Sequence, residues 1–127
     1  MNRVRFKGII LIWVILALAM VAVTMLVLAE GANTLFLQAD AAYCQAVERN
    51  LTASALAWTQ KQLVDGATPA TGEPVTLDST QIGSQRDELA VDFVQVEDSS
   101  AKIRVRTFCA KGRQTLDQTR QYAVSRP

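Results

Sequence analysis

Apolar and polar positions divide this chain into stretches of different period. Residues 9–29 read IILIWVILALAMVAVTMLVLA, where Thr24 is the only polar side chain and thirteen of the 21 are Ile, Leu or Val. As a helix rising about 1.5 Å per residue, this block covers roughly 30 Å, the thickness of a bilayer's hydrocarbon core. Each Leu, Ile or Val near the membrane centre contributes about −0.3 to −0.6 kcal/mol, so insertion is favourable by several kcal/mol. The rest of the chain is too small to wrap a helix that is apolar on every side. A transmembrane helix is therefore expected rather than a core helix.

The period then becomes helical. Residues 30–65 contain no Pro, and Leu37, Ala41, Cys44, Val47, Leu51, Ala55 and Trp58 recur at steps of three or four, with Asp40, Glu48, Arg49 and Lys61 off the stripe. That spacing predicts an amphipathic helix whose stripe, Trp58 included, is the core face of a small domain. Gly31 and Asn33 mark where the two helical pieces could bend, and Gly66 is a C-terminal stop. Residues 66–88 are dense in Gly, Pro, Ser, Thr and Asp. They predict a loop with at most one short strand at 75–77.

From Leu89 the period is two. Residues 89–97 form a strand candidate, and Asp98-Ser99-Ser100 a turn. In residues 101–109, Ile103, Val105, Thr107 and Cys109 share one face while Lys102, Arg104, Arg106 and Phe108 share the other. Lys111-Gly112 suggests another turn, and 115–125 a last strand. The expected fold is α+β: a long N-terminal helix, half transmembrane and half amphipathic, packed on a small antiparallel sheet of three to four strands. The organisation is a basic leader (1–8), a transmembrane helix (9–29), an amphipathic helix (30–65), a loop (66–88) and a sheet domain (89–127).

Charge adds an orientation. The chain has 127 residues with 13 Lys+Arg and 12 Asp+Glu, but Arg3, Arg5 and Lys7 precede the apolar block and Glu30 follows it. The positive-inside bias places the N-terminus in the cytoplasm and residues 30–127 across the membrane, where cysteines can oxidise. The segment after the block carries ten basic and twelve acidic groups, which argues against nucleic acid as the main partner. With no His, a Ser-His-Asp or Cys-His site and a His-ligated metal are excluded, and two cysteines cannot make a four-cysteine zinc site. Two fates of the N-terminus follow from this pattern alone. One is a permanent signal anchor. The other is a secretory signal peptide cut before Glu30, since Val27-Leu28-Ala29 suits the cleavage site, although the run exceeds the usual apolar core of about 7–15 residues.

A third fate comes from a resemblance. Residues 5–17, RFKGIILIWVILA, resemble the N-terminus of type IV pilin-like proteins, in which a short basic leader ending in Lys/Arg-Gly precedes an unbroken apolar helix. The likeness covers about residues 1–60 and is nearest to the K-type minor pseudopilins of type II secretion and the minor pilins of type IV pili. It implies that a prepilin peptidase cuts after Gly8, leaving Ile9 as the first mature residue. It also implies that the helix packs among other pilin-like subunits. Most members carry Glu at mature position five, where it neutralises a neighbour's terminal amine. Here that position is Trp13, which implies a minor, non-repeating subunit. K-type pseudopilins also lack the Glu, but they hold a large inserted helical domain for which this chain is too short.

The remaining candidates are few. Cys44 lies on the helix stripe and Cys109 on the inward strand face, so they either meet as a disulfide or stay as two buried thiols. A bridge would stabilise the fold by about 4 kcal/mol on the chain-entropy model. Lys102, Arg104 and Arg106 form a basic row, read as a solvated outer face balanced by Asp92 and Glu97 rather than as a patch for an anionic partner such as extracellular DNA. Asp87 with Glu88, and Glu97 with Asp98, are sequence neighbours that would point opposite ways on strands, so neither makes an acid–base pair. There is no phosphate-loop, dinucleotide-binding or CxxC motif. The expectation is a minor pilin-like structural subunit of a type II secretion or type IV pilus-like assembly in a bacterial inner membrane, its C-terminal domain periplasmic. It is not expected to be an enzyme or to use a cofactor, a metal or a small-molecule substrate. Its expected partners are the membrane, other pilin-like subunits and a prepilin peptidase. The alternative is a membrane-anchored or secreted binding module unrelated to fibres.

Overall fold

The computed structural model describes residues 3–81 and 86–127, with side chains from residue 8 onward. Five elements follow in order: helix α1 (Arg3–Asp65) and strands β1 (Pro74–Leu77), β2 (Glu88–Val96), β3 (Ser100–Lys111) and β4 (Gln114–Ser125). The chain divides into two compact units, Met1–Gln38 and Ala39–Pro127.

In the first unit α1 is bare. Every described side chain from residue 8 to 36 is exposed, Trp13 at 67% and Met25 at 68% among them. The polar exception in the apolar block is satisfied locally: Thr24 Oγ1 donates to the Val21 carbonyl at 2.8 Å. Gly31 and Asn33 lie inside unbroken helix, and Thr34 Oγ1 returns a hydrogen bond to Glu30 O at 3.0 Å. The helix is not interrupted there because neither residue forbids helix, and Pro, which would, does not occur before residue 69.

The second unit is a helix laid on a sheet. Cys44, Val47, Leu51, Ala55 and Leu63 are buried, with Leu51 and Ala55 fully so. The stripe departs from the expected one near its end. Trp58 is half-buried at the rim, and Thr59 takes the core position one residue later, its hydroxyl donating to Ala55 O at 2.8 Å. Steps of four from Leu51 through Ala55 and Thr59 to Leu63 keep one face of a 3.6-residue helix on the sheet. A buried threonine fits there because its hydroxyl bonds back to the preceding turn. Gly66 ends the helix at φ 67°, and Ala67 N donates to Gln62 O at 3.2 Å, closing the last turn by the six-to-one bond that a left-handed glycine allows.

The sheet is an antiparallel meander of order β1-β2-β3-β4. The short β1 lies where a strand was expected within the loop-rich segment, pairing Val75 with Val91 and Leu77 with Leu89. Between β2 and β3 the register slips at Phe93/Gln95, so Val94 bulges out and is exposed. β3 alternates as its sequence does: Ala101, Ile103, Val105, Thr107 and Cys109 are buried, while Lys102, Arg104 and Arg106 are exposed. The core is this face of β3, Leu89, Val91 and Phe93 of β2, Val124 of β4 and the helix stripe. Trp58 and Phe93 rings meet at 6.0 Å with a 60° tilt, the offset geometry aromatic pairs prefer.

Candidate functional site

Two features are candidates for function: the bare apolar segment and the surface of the sheet unit. The first is a helical segment long and apolar enough to cross a membrane. Its side chains cannot remain in water without large cost, since contiguous apolar surface of this extent marks contact with lipid or protein. Both candidate cleavage bonds, Gly8–Ile9 and Ala29–Glu30, lie inside α1. A Cβ added at Gly8 would meet nothing within 4 Å. The side chains of Arg3, Arg5 and Lys7 lie outside the described residues. Trp13 is exposed on the helix.

In the second unit, Cys44 and Cys109 are joined by a disulfide with their Cα atoms 5.6 Å apart. Helix and strand period each brought one cysteine to an inward face, and the packing of α1 on β3 brings them into reach. The bridge is 2% exposed at both residues, so it is a structural staple rather than an accessible redox centre.

Two of the three cations in the basic row, Arg104 and Arg106, are paired on their own face. Arg104 pairs with Asp92 at 3.5 Å, their cross-strand register partner. Arg106 makes a two-point contact with Asp117 of β4, Nη2 to Oδ2 at 2.8 Å and Nε to Oδ1 at 3.2 Å. That hydrogen bond holds the Asp117 carboxyl below its ordinary range and raises the Arg106 guanidinium. Glu97, expected to balance the row, instead accepts from Gln95 Nε2 at 2.9 Å and Ser100 Oγ at 3.3 Å around the β2–β3 turn. Asp117 escaped notice in the sequence because only the β3–β4 register places it diagonally beside Arg106. The face reads as mixed-sign and solvated, as the sequence suggested.

The neighbouring carboxylates do not converge. Asp87 is buried and Glu88 exposed, as period-two backbone requires. Ser79 Oγ donates to the Asp87 carbonyl at 2.5 Å. Among the described residues no group of three or more His, Cys, Asp or Glu could hold a metal ion. Two of the shallow clefts on this unit lie beside charged groups. One, about 740 Å³, lies on the outer sheet face over Ala90, between Arg104, Arg106 and Asp117. The other, about 540 Å³, runs between α1 and β4, lined by Glu48, Arg49, Leu56, Gln118, Arg120 and Tyr122 among others. Neither contains a nucleophile paired with a base.

No protein-family model matches this chain, and no characterised protein and no solved structure is significantly similar to it.

Proposed function

We propose that the chain is a minor pilin-like structural subunit of a type II secretion or type IV pilus-like assembly, and that it works by packing rather than by chemistry. The observation that carries this reading is the combination of a Lys-Gly junction, an exposed apolar helix beginning at Ile9, and a small helix-on-sheet unit downstream. On this reading residues 9–29 hold the subunit in the inner membrane and then pack among the helices of neighbouring subunits, with the same apolar surface serving both environments. Residues 30–127 lie on the periplasmic side, consistent with a buried disulfide. Trp13 at mature position five makes the subunit non-repeating, since indole cannot neutralise a neighbouring ammonium.

The test is the N-terminal sequence of the protein isolated from its own membranes. A start at Ile9 supports the proposal, and loss of that start in cells lacking the prepilin peptidase strengthens it. A start at Glu30 points to a secreted module, and an intact leader to a simple anchor. The anchor reading has one observation on its side, the absence of the usual Glu at Trp13.

A further inference from the structure

β4 is bonded to β3 by twelve register pairs without a shift and is the last strand of the sheet. Its far edge pairs with no described strand. The opposite edge, β1, has four residues and begins with Pro74, which has no amide hydrogen to offer. β4 has twelve residues with no Pro, Gly or Lys. Of the usual means of blunting an edge, which are short length, proline, bulges and charge, β4 uses only charge, and its two charged side chains are both paired, Asp117 with Arg106 and Arg120 with Glu48.

The side of β4 that faces α1 is also unfinished. Leu116, Gln118 and Tyr122 are only half-buried and Arg120 is exposed, because the helix lies over β2 and β3. The cleft of about 540 Å³ results, with Glu48, Arg49 and Leu56 as its helical wall. Glu48 is engaged by Arg120 at 3.7 Å, whereas Arg49 takes part in no ion pair among the described residues. The cleft thus presents an unspent positive charge beside an open strand edge.

We propose that β4 takes up an extended acidic segment of a partner protein as a fifth strand. Main-chain bonds to the edge give the affinity, and alternate side chains of the added strand enter the cleft. Those side chains present a carboxylate to Arg49. The inference goes beyond the proposed function and does not depend on how the N-terminus is processed.

The experiment uses the full chain in detergent micelles and two acetylated, amidated nonapeptides, TVEVSTEVT and TVKVSTKVT, each with its two charged residues on one face and its valines on the other. Amide hydrogen exchange locates binding and titration ranks it. The acidic peptide is expected to slow exchange along residues 114–125, and the lysine peptide to bind roughly two- to five-fold more weakly, as one half-exposed ion pair permits. In Arg49→Glu, whose side chain is exposed and lies outside the core, the order reverses. Absence of protection along β4, protection centred elsewhere, or an order unchanged in Arg49→Glu overturns the proposal. So does protection of β4 that appears without peptide and rises with protein concentration, which would assign the edge to a second copy.

Discussion

Cys44 on the helix and Cys109 on the third strand are bonded to each other with their Cα atoms 5.6 Å apart, closing a loop of 65 residues. This one link joins the helix to the sheet at a point where both are buried. Removing it as Cys44→Ala with Cys109→Ala is expected to destabilise the sheet unit by about 4 kcal/mol, the loop-closure entropy returned to the unfolded chain. Denaturant unfolding of the two forms, each under non-reducing conditions, measures it. Equal midpoints would mean that the bridge adds nothing beyond the packing around it.

Leu51 is fully buried and Leu35 is 67% exposed on the same helix. Leu51→Ala should lower the stability of the sheet unit by about 2–5 kcal/mol through lost burial and a residual cavity. Leu35→Ala should change it by no more than about 0.5 kcal/mol. Circular dichroism melts of the two variants separate these outcomes. A comparable loss in both would place Leu35 in a contact absent from the single chain.

Gly112 turns the β3–β4 hairpin at φ 58°, and a Cβ there would run into Asp40 Oδ2. Gly112→Ala is expected to cost about 1–2 kcal/mol from the left-handed backbone alone, with the collision added. Adding Asp40→Ala should recover only the collision, so a double-mutant cycle returns a partial rescue. Complete rescue would show that the backbone conformation is not what requires glycine.

The Arg106–Asp117 contact predicts a pH dependence. The hydrogen bond from Arg106 lowers the Asp117 pKa in the folded chain, so near and below the unfolded value of about 3.9 the unfolded state binds more protons. The pair's contribution is complete above that value and is lost as pH falls through the lower folded one. Wild type should therefore lose more stability between pH 6 and strong acid than Asp117→Asn does. Parallel stability curves from unfolding across that range would show the contact to be energetically silent, as many exposed pairs are.

A charge at the middle of the apolar block should oppose membrane insertion. Ala19→Arg is expected to disfavour it by about 2.5–3.5 kcal/mol, although the remaining Ile, Leu and Val residues still favour it. The fraction resistant to alkaline carbonate extraction should fall. The same change at Ala57, on the exposed side of the helix in the second unit, should leave that fraction as it was.

Much of this molecule is written in local patterns. Residues 9–29 were legible as an apolar helix long enough to cross a membrane because no polar face exists in any period. Steps of three and four between Cys44 and Ala55 marked the buried stripe, and alternation from Ile103 to Cys109 marked the inward face of β3. Each of these is a property of one element, set by 3.6 or 2 residues per repeat, and so is legible without a partner. What tertiary structure decided concerns pairs. Whether Cys44 meets Cys109, whether Arg106 finds Asp117 rather than Glu97, that Gly112 lies against the Asp40 carboxylate, and that the helix leaves β4 half-covered all depend on strand register and on where the helix lies. Those are distances between residues far apart in the chain, and no repeat within either partner encodes them.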